Sequence, residues 1–169
     1  MSDLQPKLSE LDKKANEKLP ETQKLFKRLK KRTPKQLDLV MQELHDDEFE
    51  VTDCLDCANC CKTTSPIFTE KDIKRAAKHL RVKEAKFVAD YLRRDSDDFM
   101  VLKGAPCPFL DLNDNHCFIY DARPRACKEY PHTNRRKFIQ ITDLTIKNTF
   151  VCPATYNIVE ALKKRFPLG

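Results

Sequence analysis

The chain has 169 residues, a formal net charge of +6, 8 cysteines and only 2 glycines. A chain of this length buries a hydrophobic core without covalent crosslinks, and the scarcity of glycine excludes a glycine-rich phosphate loop as the working part. Because no segment approaches the ~18 apolar residues of a membrane span and the N-terminus has no apolar targeting segment, the sequence predicts a soluble, cytoplasmic protein.

The N-terminal region carries the whole excess of positive charge. Residues 1–35 contain 11 Lys and Arg against 5 Asp and Glu, whereas residues 36–169 contain 21 of each. The basic run KRLKKR at Lys27–Arg32 makes an acidic protein or a nucleic acid a candidate partner for residues 1–35. A solvated helix face is the alternative, because no aromatic residues or base-reading motif accompany the basic ones.

Three amphipathic helices are predicted in the first 50 residues. Pro20 separates the first two, and Pro34 lies near the start of the third. Their apolar residues recur at helical spacing. These positions are Leu4, Leu8 and Leu11, then Leu25, Phe26 and Leu29, and finally Leu37, Val40, Met41 and Leu44.

The elements after residue 65 are predicted to be mainly helical. One helix starts at Thr69, which a carboxylate follows three residues later in the pattern of a capping box. Val82–Leu92 predicts another helix, and Pro153 begins a closing one. Phe99–Leu112 and Phe138–Ile146 contain short apolar runs that are typical of β-strands.

The sequence CLDCANCCK at residues 54–62 places four cysteines in eight residues. Cys54, Cys57 and Cys60 have the C-x2-C-x2-C spacing that zinc sites and iron–sulfur clusters use. Neighbouring residues tend to direct their side chains apart, so we expect Cys60 and Cys61 to serve different ions or one of them to bridge two. The spacing therefore predicts more than one metal position.

The other four cysteines are widely spaced, and two of them precede proline, which stiffens the following turn. Cytosolic thiols are kept reduced, so metal binding is a better explanation of all eight than disulfides. Eight thiols match two four-coordinate sites, whether two zinc ions, two iron–sulfur clusters or one of each. The spacing leaves the assignment of cysteines to ions open. These four are Cys107, Cys117, Cys127 and Cys152.

Charged and imidazole side chains near the cysteines are further candidates for the site. A centre with four thiolates is anionic, so nearby cations should stabilise it. His116 and His132 are alternative ligands, although eight cysteines already complete two sites. The candidate cations are Lys62, Arg123, Arg125 and Lys128.

CLDCANCCK, followed by CPFLDLNDNHCFIYDARPRACKEYP and then Cys152, resembles the zinc- or iron-chelating CxxCxxCC family, the YkgJ-type cysteine-cluster proteins of bacteria. The resemblance covers residues 50–155. It implies that zinc or iron, the latter as an iron–sulfur cluster, is the cofactor. A related cysteine cluster in flagellin lysine methylases, which resemble iron–sulfur enzymes, keeps a catalytic function open. The metal ligands implied are Cys54, Cys57, Cys60, Cys61, Cys107, Cys117, Cys127 and Cys152.

Together these features predict a mostly α fold with small irregular and β elements. We expect a single helix-rich domain organised around a cysteine-ligated metal centre, with a helical N-terminal extension. The boundaries are a basic extension at 1–49, a cysteine-cluster metal-binding domain at 50–155 and a C-terminal helix at 156–169 that packs on it.

The function predicted from the sequence is metal binding, with the metal required for the fold. Apparent binding energies of structural zinc, ~10–16 kcal/mol, exceed the stability of a typical domain. One alternative is an iron–sulfur-dependent redox or methyl-transfer enzyme. The other is an interaction module that uses the basic N-terminal arm.

Overall fold

The computed structural model describes residues 8–169, which form two compact units. Unit 1 joins residues 8–53 to Pro131–Gly169, and unit 2 is Cys54–Tyr130. The described part of the chain is mainly helical with one two-stranded sheet, which confirms the predicted fold class. None of its helices combines the length and the apolar character needed to cross a membrane. The three predicted domain boundaries stay a prediction.

Nine α-helices and two strands occur within residues 8–169. The helices are α1 Leu8–Lys31, α2 Leu37–Val51, α3 Cys54–Cys57, α4 Asn59–Thr63, α5 Glu70–His79, α6 Glu84–Tyr91, α7 Arg125–Glu129, α8 Thr142–Thr149 and α9 Pro153–Arg165. The strands are β1 Leu92–Arg94 and β2 Met100–Leu102, and short 3-10 turns lie at Tyr120–Ala122 and Phe138–Ile141.

In unit 1, α1, α2, α8 and α9 pack around one hydrophobic core. Phe26 and Phe138 meet edge to face in it, with ring centroids 6.1 Å apart. Each fully buried side chain of this size stabilises the fold by roughly 1.5–3 kcal/mol relative to exposure. The buried members are Leu25, Phe26, Leu29, Leu37, Met41, Phe138, Ile141, Ile158, Val159 and Leu162.

Helix α1 is continuous through Pro20, so the prediction of two short helices was wrong. A proline inside a helix costs about 3 kcal/mol. The helix nevertheless continues, because the residues after Pro20 bury Leu25, Phe26 and Leu29 in the core of unit 1. Burial of three large apolar side chains outweighs the cost of one proline. Leu4 of the predicted first stripe lies outside the described residues.

The segment Phe138–Ile146 is a 3-10 turn followed by α8, so the predicted β run was wrong. The alternation of Ile139 and Ile141 suggested a strand. The buried residues instead recur at helical spacing. Two of them, Thr142 and Thr145, are polar and completely buried. Thr145 satisfies its hydroxyl by donating to the Ile141 carbonyl at 3.0 Å. Because threonine is polar, a hydrophobicity pattern does not predict that this face of the helix is buried.

Unit 2 is built around a set of aromatic side chains. Phe87 is completely buried, and its ring lies 5.7 Å from Phe68, 5.3 Å from Tyr91 and 6.0 Å from Phe109, measured between centroids. Helices α5 and α6 and the antiparallel pair β1–β2 surround this set. The predicted helix Val82–Leu92 is confirmed up to Tyr91, after which the chain enters β1.

Candidate metal centre

The CxxCxxCC segment folds as two short helical turns, α3 and α4, joined at Ala58. This alanine is buried and has the left-handed φ of 47°, a conformation that costs an L-residue roughly 1–2 kcal/mol. The Ala58 N–H still donates to the Cys54 carbonyl at 2.8 Å, and its carbonyl accepts from the Lys62 N–H at 3.1 Å. Ala58 therefore separates the turn that carries Cys54 and Cys57 from the turn that carries Cys60 and Cys61.

The segment Cys107–Cys117, which begins with CPFL and is called the CPFL segment, places its two cysteines beside this second turn. Phe109 anchors the segment in the aromatic core, 4.8 Å from Tyr91 between ring centroids. An antiparallel bridge pairs Leu110 with Cys117, and the Cys107 N–H donates to the Cys61 carbonyl at 2.8 Å. A backbone hydrogen bond thus connects Cys107 directly to Cys61, and Cys117 is linked to the start of the segment through Leu110.

Cys127 lies on α7, whose first turn follows Pro124. The Cys127 N–H donates to the Pro124 carbonyl at 3.0 Å. The N–H of Arg125, two residues earlier, donates to the buried carboxylate of Asp72 at 3.1 Å. Asp72 was recognised from the sequence only as the carboxylate of a capping box, and its bond to α7 was missed.

The sulfurs of four cysteines lie close enough for the charge of each to act on the others. Burial, together with negative charge on Cys61 and Cys117, raises the pKa of Cys107 to about 11. Burial likewise raises the pKa of Cys127 to about 12, with contributions from the other three sulfurs. Burial and the charge of Cys61 raise the pKa of Cys117. The charges of every pair of these sulfurs interact. We call Cys61, Cys107, Cys117 and Cys127 the four-thiol group.

Cys61 differs from the rest of the four-thiol group. A hydrogen bond with the Cys60 side chain, together with the charges of Lys62 and Arg123, lowers its pKa to about 7 against the opposing effect of burial. The expectation that Cys60 and Cys61 direct their side chains apart was therefore wrong, since adjacent positions on a short helical turn bring the two sulfurs within hydrogen-bonding distance. Their assignment to different ions stays a prediction.

Arg123 is the cation most closely associated with the four-thiol group. Its positive charge acts on the sulfurs of Cys61, Cys117 and Cys127. The guanidinium carbon lies 3.6 Å above the centre of the Tyr120 ring, and the Arg123 Nε is buried without a hydrogen-bond partner. A buried donor of this kind favours an anionic neighbour. Among the other predicted cations, Lys62 acts on Cys61, whereas Arg125 pairs with Glu129 at 2.6 Å.

The chemistry of the four-thiol group fits zinc or iron. Cys61, Cys107, Cys117 and Cys127 are reduced thiols on three separate segments of unit 2. Thiolates are the ligands that select zinc and iron–sulfur clusters. A shared cation would offset the mutual repulsion of the thiolates, and the positive charge of Arg123 acts on three of these sulfurs. Across residues 8–169, no group of three or more His, Cys, Asp or Glu side chains forms an arrangement that could hold a metal ion as it stands.

The remaining candidate ligands have different surroundings. Cys54 is exposed on α3, and Cys57 is half-buried at the end of the same turn. The His116 ring packs against Phe118, with centroids 5.8 Å apart. His132 belongs to unit 1 and has a left-handed φ of 65°. Neither histidine belongs to the four-thiol group.

Cys152 belongs to unit 1, where it is the N-cap of α9. Its sulfur accepts a hydrogen bond from the Thr155 N–H at 3.4 Å, and Pro153 occupies the first turn of the helix. This local role is independent of metal binding. A serine in its place would keep the cap and remove the thiolate, because serine is among the preferred N-cap residues.

Substitution of Cys152 separates its two roles. We expect both Cys152→Ser and Cys152→Ala to reduce the metal content, because both remove the predicted ligand. Only the alanine variant should lose the cap of α9, at a cost of about 0.5–1 kcal/mol. Metal analysis and denaturant unfolding of both variants measure the two effects. Full metal content in Cys152→Ser would remove this residue from the ligand set and leave it as a cap.

Comparison with known families finds a match over residues 53–150, more than half of the chain, to CxxCxxCC, described as a "putative zinc- or iron-chelating domain". The matched range contains seven of the 8 cysteines and ends just before Cys152. No solved structure matches the chain. The cysteine spacing, the four-thiol group and this match lead to one conclusion: the chain belongs to the CxxCxxCC family of zinc- or iron-chelating domains.

Proposed function

We propose that the protein binds zinc or iron through its cysteines and that the bound metal stabilises unit 2. The observation that carries this proposal is the mutual electrostatic interaction of the sulfurs of the four-thiol group. These sulfurs come from separate parts of the sequence, and the charge of each acts on the others. Four half-buried thiols in one place repel one another once deprotonated, and a cation bound between them removes that cost.

The first metal position in this proposal uses the four-thiol group. Lys62 and the half-buried Arg123 supply positive charge beside it. In a structural zinc site, four thiolates complete the coordination and leave no position for substrate. The same four thiolates would hold a four-iron cluster. Because four thiolates can bind either a zinc ion or a four-iron cluster, the proposal includes both metals.

A second metal position accounts for the cysteines of the two short turns. Cys54, Cys57 and Cys60 have the C-x2-C-x2-C spacing, and the left-handed Ala58 separates the first two from the third. We propose that they bind a second ion. Cys152 is kept as a proposed ligand on the sequence pattern alone. Reduced thiols in such numbers are typical of a cytoplasmic protein, which is the location we propose.

Metal analysis of protein purified without oxygen tests the proposed function. We expect zinc or iron to remain bound through gel filtration at one or two equivalents per chain. A broad visible absorption band together with acid-labile sulfide identifies an iron–sulfur cluster, whereas a colourless zinc-loaded protein excludes one. Protein that is free of both metals after this purification, and that takes up neither when they are added under reducing conditions, contradicts the proposal.

The basic residues of α1 support a separate proposal, that this helix binds an acidic protein or a nucleic acid. Arg28 donates to the Pro167 carbonyl at 2.7 Å, and Lys30 pairs with Asp143 at 2.9 Å, so these two cations are already engaged within unit 1. Lys27, Lys31 and Arg32 are exposed. Deletion of α1 would also remove Leu25, Phe26 and Leu29 from the core, which makes substitution the better test.

Neutralising these three exposed cations should weaken polyanion binding without unfolding the protein. The triple variant Lys27→Gln, Lys31→Gln, Arg32→Gln leaves the buried face of α1 intact. We expect heparin and single-stranded nucleic acid to bind the wild-type chain in a salt-sensitive way and to bind the variant more weakly. Equal binding by both proteins, measured at two salt concentrations, would exclude this helix as the binding surface.

A further inference from the structure

Asp72 is a buried carboxylate whose two oxygens bind different parts of unit 2. Its side chain is 3% exposed. Oδ2 accepts hydrogen bonds from the Thr69 N–H at 3.0 Å and from the Thr69 hydroxyl at 2.7 Å, which completes the capping box of α5. Oδ1 accepts from the Arg75 guanidinium at 2.6 Å and from the Arg125 N–H at 3.1 Å. One oxygen therefore caps α5, and the other binds the first residue of α7.

Arg75 makes a second connection to the same segment. Its Nη2 donates to Asp72 and also to the Arg123 carbonyl, at 2.7 Å. The Arg123 side chain acts on three sulfurs of the four-thiol group, and Arg125 precedes Cys127 by two residues. Asp72 and Arg75 thus hold the backbone on both sides of Pro124, directly before Cys127.

These contacts exceed what a helix cap requires. A capping carboxylate needs only the bonds to Thr69 and works equally well when exposed to solvent. Asp72 is instead buried, and a buried carboxylate destabilises the fold unless hydrogen bonds or an ion pair compensate for its lost hydration. Burial raises the pKa of Asp72, but the bonds from Thr69, Arg75 and Arg125 together lower it below its usual range. The carboxylate is therefore ionised and fully engaged.

We propose that Asp72, acting with Arg75, is a positioning residue for the metal centre, because it fixes residues 123–127 where Cys127 reaches the rest of the four-thiol group. This inference rests on the proposed function. It assigns Asp72 no contact with the metal. Loss of the Oδ1 contacts would leave Cys127 on a mobile turn while the three other sulfurs keep their own supports in α4 and the CPFL segment.

Three substitutions separate positioning from capping. Thr69→Val removes the hydroxyl of the cap and leaves the Oδ1 contacts, so it is the matched control. Asp72→Asn leaves one acceptor oxygen in place of two. Arg75→Met removes the contact with the Arg123 carbonyl while keeping most of the side-chain volume. Each protein is purified with its native metal and then exposed to a competing chelator and, separately, to a thiol-alkylating reagent.

We expect Asp72→Asn and Arg75→Met to weaken metal binding about 10- to 100-fold, the range typical for loss of a group that orients a ligand. Thr69→Val should lower the unfolding midpoint without changing metal affinity. Mass spectrometry should show that Cys127 is alkylated faster, relative to the three other sulfurs of the four-thiol group, in Asp72→Asn and in Arg75→Met. The Thr69→Val control should show no such change. The double variant should lose no more affinity than either single one, since both residues hold the same segment.

The outcomes distinguish this inference from the proposed function. Equal metal affinity and equal relative alkylation in Asp72→Asn and Thr69→Val would reduce Asp72 to a helix cap and overturn the inference. If Asp72→Asn does not fold, the comparison of Arg75→Met with Thr69→Val decides in the same way. If the wild-type protein binds neither zinc nor iron, the proposed function fails, while the relative alkylation of Cys127 still shows whether Asp72 positions it.

Discussion

Removal of the bound metal is expected to abolish the slow amide exchange of residues 54–130 and to leave that of unit 1 largely intact. Apparent binding of structural zinc contributes about 10–16 kcal/mol, which matches or exceeds the 5–15 kcal/mol net stability of a whole domain. Unit 2 would lose an amount comparable with its entire stability. Unit 1 has its own core of ten buried apolar residues and should remain folded.

The expected metal dependence of unit 2 comes from its cysteine-bearing turns, because its core, like that of unit 1, has ten buried apolar residues. Its aromatic set, centred on Phe87, supports α5, α6 and the hairpin. The two turns of the CxxCxxCC segment bury none of their helical residues completely, and neither does α7. Short helices of four or five residues are unstable on their own, so we expect these segments to respond most strongly to metal removal.

Hydrogen exchange of the metal-loaded protein, before and after treatment with a strong chelator under reducing conditions, measures this effect. Protection should vanish first in peptides that contain Cys61 and Cys127. Return of protection after zinc or iron is added back serves as the control for irreversible damage. Unchanged exchange in residues 54–130 after complete metal removal would show that the metal does not hold this unit together.

Serine at any position of the four-thiol group is expected to abolish binding of the first metal ion. Loss of a ligand should cost more than the ~10–100-fold that loss of an orienting group costs. The variants Cys61→Ser, Cys107→Ser, Cys117→Ser and Cys127→Ser should therefore behave alike. In the proposal these four cysteines share one ion but come from three segments, so a purely local disturbance would not produce the same result in all four.

Cys57→Ser is the matched control for this series. Cys57 lies one turn before Cys61 and outside the four-thiol group, so its substitution should spare the first ion and affect only the second. Metal content per chain and the visible spectrum of the cobalt-substituted proteins distinguish the two positions. A series in which Cys57→Ser loses the same ion as Cys61→Ser would contradict the proposed grouping.

Elements with strong local signals were predictable from sequence. The apolar period of α2, the capping box of α5 and the proline at the start of α9 all lie in the chain where the sequence places them. The predictions failed where local signals conflict with burial elsewhere. Pro20 does not end α1, because the core of unit 1 keeps the helix intact, and α8 hides its inner face behind buried threonines.

The candidate site was predictable in its chemistry but not in its grouping. Spacing and family resemblance predict that all eight cysteines are ligands, and this assignment stays a prediction. Their approach in space depends on contacts between distant residues, such as the bond from the Cys107 N–H to the Cys61 carbonyl. Asp72 and Arg125 are 53 residues apart, and no local pattern links them. Only the folded chain brings such pairs together.

X-ray absorption at the edge of the bound metal tests most directly whether the cysteines act as its ligands. We predict a first shell of sulfur alone, at about 2.3 Å and four atoms per ion if the metal is zinc, and less sulfur-bound metal per chain in Cys61→Ser and Cys127→Ser, which should lose the first ion. A first shell of oxygen or nitrogen, or an unchanged amount of sulfur-bound metal in both variants, would contradict metal binding by these thiols.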